Sequence, residues 1–399
     1  FPLLNEWRTI GFFMALEPYT SMGYMLGKNG TESAEDIMER FPIKEYLGRV
    51  RSGITSCPGC SLGCKGKLEM KGGKYDGLRF RMSTPAVAVG AFGGQVAVDG
   101  FDEVIKCTEL TNRYGMDMNS LTATIGFAIE LYKKGIITDE DTGGLELDWG
   151  TETVRTLIDR IAARDGFGRL LGEGVVKAAE EIGKGADYYA VHIKGLDLGL
   201  GLRGRLSTEN FGQATNPRGA HLERSPSISF MPGRKRESYV KYCQGIGVPE
   251  DKIEAVCTGP ENFNVARLTR WVEDYNSILF SLGLCHRTPI SQHYNLEIFA
   301  RLYSAATGLD MKPEEIRQAG ERVWNMSRLF NMREGKTKQD DIFPERLMKE
   351  SVKLRKKEIP AADPEMVKKL LQEYYEERGW EPDTGNPGRP KLKELGLEL

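Results

Sequence analysis

The sequence predicts a mainly α-helical protein with a minor β component. Apolar residues recur at helical spacing over several long windows. Glycine closes most of those windows, as it does at helix C-termini. Strand-like alternation is concentrated in one segment, a hairpin over residues 65–83. Of 399 residues, 40% are hydrophobic and 28% charged, a balance that can bury a real core. At ~150 residues per domain, the length suits two or three domains.

Residues 1–50 read as mixed loop and helix, with a short helix at 33–40. Residues 65–71 and 74–82 flank a turn at Gly72-Gly73. Residues 102–113 read as a helix. Leu121, Ile125, Ala128, Ile129 and Tyr132 form an apolar stripe, with Gly135 as its stop. Val154, Leu157, Ile158 and Ile161 form a second, ended by Gly166. Residues 170–182 form a third, ended by Gly183, and 188–193 read as a strand. Residues 195–235 are polar, glycine-rich and aperiodic. Leu268, Trp271, Val272, Tyr275, Ile278, Leu279 and Leu282 then define the strongest helix, closed by Gly283. Residues 313–332 and 364–378 are further helices, the last opened by Asp363-Pro364.

Composition excludes several classes. Lys plus Arg is 55 and Asp plus Glu is 57, a formal charge of −2, so a nucleic-acid binder acting by phosphate neutralisation is not expected. The apolar run at 10–16 is far below the ~18 residues needed to span a bilayer, so no membrane partner is expected. With no basic-then-apolar leader, the expected compartment is the cytoplasm. The chain begins at Phe1 rather than Met and reads as a piece of a longer protein.

Seven cysteines occur: Cys57, Cys60, Cys64, Cys107, Cys243, Cys257 and Cys285. An odd number in a chain this long argues against a disulfide framework. Three of them form Cys57-Pro-Gly-Cys60-Ser-Leu-Gly-Cys64. Closely spaced thiolates with a distant fourth can hold an iron–sulfur cluster. Zinc is the rival, but structural zinc sites usually pair two ligand knuckles, and no second CxxC or HxxxH occurs.

Other motifs carry less weight. Gly199-Leu-Gly201-Leu-Arg-Gly204 matches G-x-G-x-x-G, but loop-like residues come next, where a dinucleotide site needs a helix. His221-Leu-Glu223 lacks the downstream P-C-x-x-C of zinc deaminases. His192, His286 and His293 read as structural, with His286 notable for adjoining Cys285. Asn112-Arg-Tyr-Gly115-Met-Asp117 and Phe280-Ser-Leu-Gly283-Leu-Cys285 each place Gly two residues before Asp or Cys. Each reads first as a glycine-stopped helix. Asp117 could accept a hydrogen bond from a ligand ring N–H, and Cys285 is the natural fourth cluster ligand.

Together these segments resemble the tungsten-containing aldehyde ferredoxin oxidoreductase family. The cysteine loop is similar to the family's cluster motif. Asn112 to Asp117 is similar to its D-x-x-G-x-D, and Phe280 to Cys285 to its D-x-x-G-L-C. Ala214-Thr-Asn-Pro-Arg-Gly-Ala220, Val323-Trp-Asn-Met-Ser-Arg-Leu-Phe-Asn-Met-Arg-Glu-Gly335, and Tyr374-Tyr-Glu-Glu-Arg-Gly-Trp380 with Leu395-Gly-Leu397 are similar to further family segments. The resemblance runs over nearly the whole chain in the right order. It implies the multihelical two-domain C-terminal region of such a protein, without the N-terminal β-rich domain. One domain would be 1–119 plus 194–314 and the other 120–193 plus 315–399.

The implied cofactors are a 4Fe-4S cluster on Cys57, Cys60, Cys64 and Cys285, and tungsten (or molybdenum) held by two pterins. Asn112, Gly115 and Asp117 would border one pterin; Gly283 and Leu284 would border the other. The implied reaction oxidises an aldehyde to a carboxylic acid and passes electrons to ferredoxin or another electron-transfer protein. The substrate is a small carbonyl compound, and a homodimer is admitted.

The family's pterin-contact aspartates are Asn112 and Phe280 here. No acid lies in residues 80–85, and no histidine between Glu223 and Leu284, so the family's acid/base pair has no counterpart and no catalytic residue is assigned. The alternatives are the tungsten subunit of a benzoyl-CoA reductase-like enzyme, or an electron-transfer module without pterin.

Overall fold

A computed structural model describes residues 2–199, 206–221, 234–260, 262–287, 294–355 and 358–398. Among these residues the chain is mainly helical, and its strands are short and antiparallel. The packing divides it into two compact units, residues 1–204 with 344–361 and residues 205–343 with 362–399. The first boundary falls at 204/205, whereas the partition implied by the resemblance cuts at 119/120, 193/194 and 314/315.

The first unit contains a three-stranded sheet: β1 (Arg51–Thr55), β2 (Lys65–Glu69) and β3 (Arg79–Met82), with β2 in the middle. Lys67 pairs with Gly53 on one side and Arg81 on the other. The expected hairpin is present with shorter strands. Gly72 N–H donates to Asp76 Oδ1 and Gly77 N–H to the Met70 carbonyl, so a wide loop replaces the tight Gly72-Gly73 turn. Strand β1 is an addition to the expected pair; its polar residues carry little alternation. Leu68 and Met82 lie buried on the inner face.

Helix α1 (Gly100–Arg113) and helix α2 (Met118–Lys133) come next. Every α2 residue from 121 to 131 is buried, Thr122, Thr124 and Glu130 included. A buried carboxylate needs partners. Glu130 takes two 2.7 Å hydrogen bonds from the Arg346 guanidinium and one, also 2.7 Å, from Asn29 Nδ2.

Helix α3 (Thr151–Ala163) is capped two residues before the predicted stop: Arg164, not Gly166, is the left-handed C-cap. The predicted helix over 170–182 is two helices, Phe167–Leu171 and α4 (Val175–Ile182). Gly174 separates them at φ 86°, a backbone no α-helix continues through. The predicted strand at 188–193 is a 3₁₀ turn leading into a two-residue strand, and the helix at 33–40 shrinks to Ile37–Arg40.

The second unit is built round α6 (Val265–Ser281), against which α5 (Thr208–Thr215), α7 (Pro313–Arg333) and α8 (Pro364–Arg378) pack. The predicted apolar stripe of α6 meets Phe299, Ile316 and the helices Arg236–Gly245 and Glu250–Val256. Its other face is also buried, but against charge. Arg378 donates to Glu273 at 2.7 Å and to Asp274 at 2.9 Å, and both Arg378 and Glu273 have no solvent exposure. Thr215 Oγ1 and Tyr374 Oη each donate to Glu273 at 2.6 Å. Arg270 and Lys391 contact Glu321 at 2.8 and 3.0 Å. Helix α5 lies inside the stretch expected to be loop. Ser207 caps it, accepting from the Asn210 N–H.

Candidate functional site

The cysteine loop joins β1 to β2, so both of its ends are held by strand pairing. Cys57 is exposed, Cys60 half-buried and Cys64 buried. Gly63 sits at φ 65°, which lets the loop turn inward before Cys64. The Cys64 carbonyl accepts from Phe12 N–H at 3.2 Å, and a Cβ on Gly11 would come within 2.8 Å of that oxygen. Leu62 N–H points at Cys60 Sγ at 3.4 Å.

Cys285 lies in the second unit, just past the end of α6. There Arg287 N–H points at Cys285 Sγ, also at 3.4 Å. Both sulfurs therefore receive a peptide N–H from the residue two positions on. Soft thiolate donors with N–H groups aimed at sulfur suit an iron–sulfur cluster. Among the described residues, however, no group of three or more His, Cys, Asp or Glu gathers as a metal ion would require.

Asn112 lies exposed in the last turn of α1, and Gly115 and Asp117 occupy the exposed turn between α1 and α2. Gly115 is left-handed at φ 71°, and Met116 N–H closes on the Thr111 carbonyl. Asp117 is the N-cap of α2, its Oδ1 accepting from Ser120 N–H at 2.8 Å. Gly283 and Leu284 repeat the turn at the end of α6: φ is 69°, and Leu284 N–H closes on the Leu279 carbonyl. This closure alone is not diagnostic, because the helices ending at Gly135, Gly247, Gly335 and Gly396 use it too. Two residues beyond the glycine the Gly115 turn carries the Asp117 carboxylate, matched at the Gly396 turn by Glu398, whereas among these turns only that at Gly283 carries a thiol, Cys285.

Asp197 is a neighbour that sequence reasoning missed. Its Oδ1 accepts from Val175 N–H at 3.0 Å, capping α4. Burial raises its carboxyl above the ordinary range, against the Val175 and Ser120 hydrogen bonds, and Asp117 adds to the rise. Only its position just before the glycine-rich stretch could have signalled it. Gly199 packs on the same turn: a Cβ there would lie 2.7 Å from Asn119 Cβ. Close packing thus accounts for the first glycine of the G-x-G-x-x-G match; Gly201 and Gly204 lie outside the described residues, as do Glu223 and His293. His192 Nδ1 accepts from Gly195 N–H within a turn, and His286 packs its ring on Phe280 at 5.7 Å.

Among the described residues the fold is mainly helical, and a loop carrying three cysteines joins two paired strands. Residues 2–397 match the family model described as aldehyde ferredoxin oxidoreductase, domains 2 and 3. The chain belongs to this family. It is 29% identical over 359 residues to a tungsten-containing aldehyde ferredoxin oxidoreductase of Pyrococcus abyssi, covering 86% of this chain and 52% of the relative. It is 26% identical over 413 residues to the WOR-like subunit of an aliphatic sulfonate oxidoreductase of Pyrococcus furiosus, covering 98% of this chain and 58% of the relative. The chain thus spans about half the length of these curated relatives. Among solved structures, the active-site complex BamBC of benzoyl coenzyme A reductase, with 1,5-dienoyl-CoA, superposes with a TM-score of 0.74 at 24% identity, covering 96% of this chain and 58% of the other. That likeness concerns the fold.

Proposed function

We propose that this chain is the helical part of a tungstopterin oxidoreductase. It oxidises a small aldehyde to the carboxylic acid and passes the electrons to ferredoxin or a similar carrier. The carrying observation is the cysteine loop, a set of three thiols fixed between paired strands, within a chain matched from residue 2 to 397 by the family model. Cys57, Cys60, Cys64 and Cys285 would hold a 4Fe-4S cluster. Asn112, Gly115 and Asp117 would border one pterin, and Gly283 and Leu284 the other. When bound, the metal–pterin group supplies the two-electron chemistry and the cluster supplies one-electron transfer.

The protein's own contribution is placement and tuning. The Leu62 and Arg287 N–H groups point at the Cys60 and Cys285 sulfurs and would tune a cluster bound there. Asp117, fixed by its capping bond, presents a carboxylate at the turn. A second reading, the tungsten subunit of a benzoyl-CoA reductase-like enzyme, is favoured by one observation. Strand β3 and the residues after it, Ser83 and Thr84, carry no carboxylate, so this segment offers no acid for aldehyde hydration.

Metal analysis of anaerobically purified protein, full-length if the gene extends upstream, tests the proposal. About four irons and about one tungsten or molybdenum are expected per chain. Cys60→Ser and Cys285→Ser should each lower the iron content and bleach the cluster's visible absorption. Zinc without sulfide would overturn the reading; iron without tungsten or molybdenum would leave only electron transfer.

A further inference from the structure

The three-stranded sheet carries charge that the fold does not use. Its inner face turns Leu68 and Met82 into the core. Its outer face carries Lys65 and Lys67 on β2, and Arg79 and Arg81 on β3. The register sets Lys67 directly opposite Arg81. Like charges facing one another across a strand pair destabilise a sheet. Glu69 neutralises Arg79, but among the described residues no acid pairs with Lys65, Lys67 or Arg81. Lys67 and Arg81 are both exposed. The patch is not a by-product of a basic chain, whose formal charge is −2.

The location of the patch points to a role. Strand β2 begins at the residue after Cys64. At about 3.4 Å per residue, Lys67 lies roughly 10 Å along the strand from Cys64. Any carrier seated on this face is therefore close to the cysteine loop.

We propose that this outer sheet face is the docking surface for an acidic electron-carrier protein. The choice of partner rests on the proposed cluster at the cysteine loop. An acidic patch on the carrier supplies the countercharge that Lys67 and Arg81 lack, and the opposed fields raise the association rate. One electron passes per encounter from this protein to the oxidised carrier, and no covalent bond forms or breaks.

The test uses full-length protein purified anaerobically, with Lys67→Glu, Arg81→Glu and the double variant. The probe is an oxidised, acidic ferredoxin carrying two 4Fe-4S clusters. Binding is measured by calorimetry at low and at near-physiological salt. The wild type should bind at low salt and weaken as salt rises. The double variant should bind at least about 10-fold more weakly, with a flattened salt dependence. Lys67→Glu alone should melt no lower than the wild type, because it replaces a repulsive cross-strand pair with an attractive one; loss of binding then cannot be ascribed to unfolding. Equal affinity and equal salt dependence in the double variant, or no wild-type binding at low salt, would overturn the proposal. Iron content is read on the same samples. Iron-free protein that still binds by charge refutes the cluster reading and upholds the surface; iron-loaded protein without charge dependence refutes the surface alone.

Discussion

Glu273 and Glu321 are buried carboxylates in the same unit, yet their surroundings push them in opposite directions. Burial raises Glu273 to about 7, against the pull of Arg378, Thr215 and Tyr374. Arg378 is shared with Asp274, so Glu273 has only part of one cation. Burial also opposes ionisation of Glu321, but Arg270 and Lys391 outweigh it and hold the carboxyl down to about 2. For Glu273 the folded value lies above the unfolded one. Its share of stability is therefore complete below pH 4.5 and is lost as pH climbs through about 7. The rise from 4.5 to about 7 corresponds to about 3 kcal/mol. Glu321 behaves conversely: its share is present above pH 4.5 and is lost as pH falls toward 2. Urea unfolding of Glu273→Gln at pH 5 and pH 8 should show that the wild type loses about 2–3 kcal/mol relative to the variant over that interval. Parallel pH profiles would show that Glu273 stays ionised throughout.

At the scale of elements, α6 and α7 pack tightly against each other. A Cβ on Gly320 would lie 2.4 Å from the Asp274 carbonyl oxygen and 2.7 Å from an Ile278 side-chain carbon. In an isolated helix, Gly→Ala gains about 1 kcal/mol. Here the methyl group must push two helices apart, and overpacking costs about 1–3 kcal/mol. Gly320→Ala should therefore lower the melting temperature, and a rise would mean that the interface can open cheaply. Helix α6 was readable in the sequence because it buries an apolar stripe that ends at a glycine stop. Asp363-Pro364 marks the start of α8, and Gly283 the end of α6. Helix α5 was not readable for the complementary reason. All eight of its residues are buried, and five of them, Thr208, Glu209, Asn210, Gln213 and Thr215, are polar, so apolar periodicity does not reveal it. The break at Gly174 was hidden because apolar residues lie on both sides of it, Leu170 and Leu171 before and Val175, Ala178 and Ala179 after. The cysteine spacing stood out because three thiols in eight residues have few structural uses, whereas Asp197 is one acid among many until α4 is seen to start beside it.

At the scale of the whole chain, the path leaves the first unit near residue 204, returns to it at 344–361, and leaves it again. The returning segment is held by more than its backbone. Arg346 forms the paired bonds to Glu130 and a third contact, at 2.9 Å, to Glu350, which also accepts from the Tyr188 hydroxyl. The strand Val352–Lys353 contacts Glu32–Ser33, and Arg355 reaches Glu39 at 3.0 Å. Among the described residues only Arg346 supplies a cation to Glu130, near the end of the fully buried stretch of α2. Arg346→Met keeps the bulk of the side chain but leaves that carboxylate without a counterion. Breaking a buried pair from one side costs about 3–5 kcal/mol. Because this network lies within one unit, hydrogen exchange should rise first over 121–131 and 344–355. The core helix at 265–281 should keep its protection under the same conditions. Equal acceleration in both regions would show instead that the chain unfolds as one cooperative block and that the 344–361 segment fastens the whole of it.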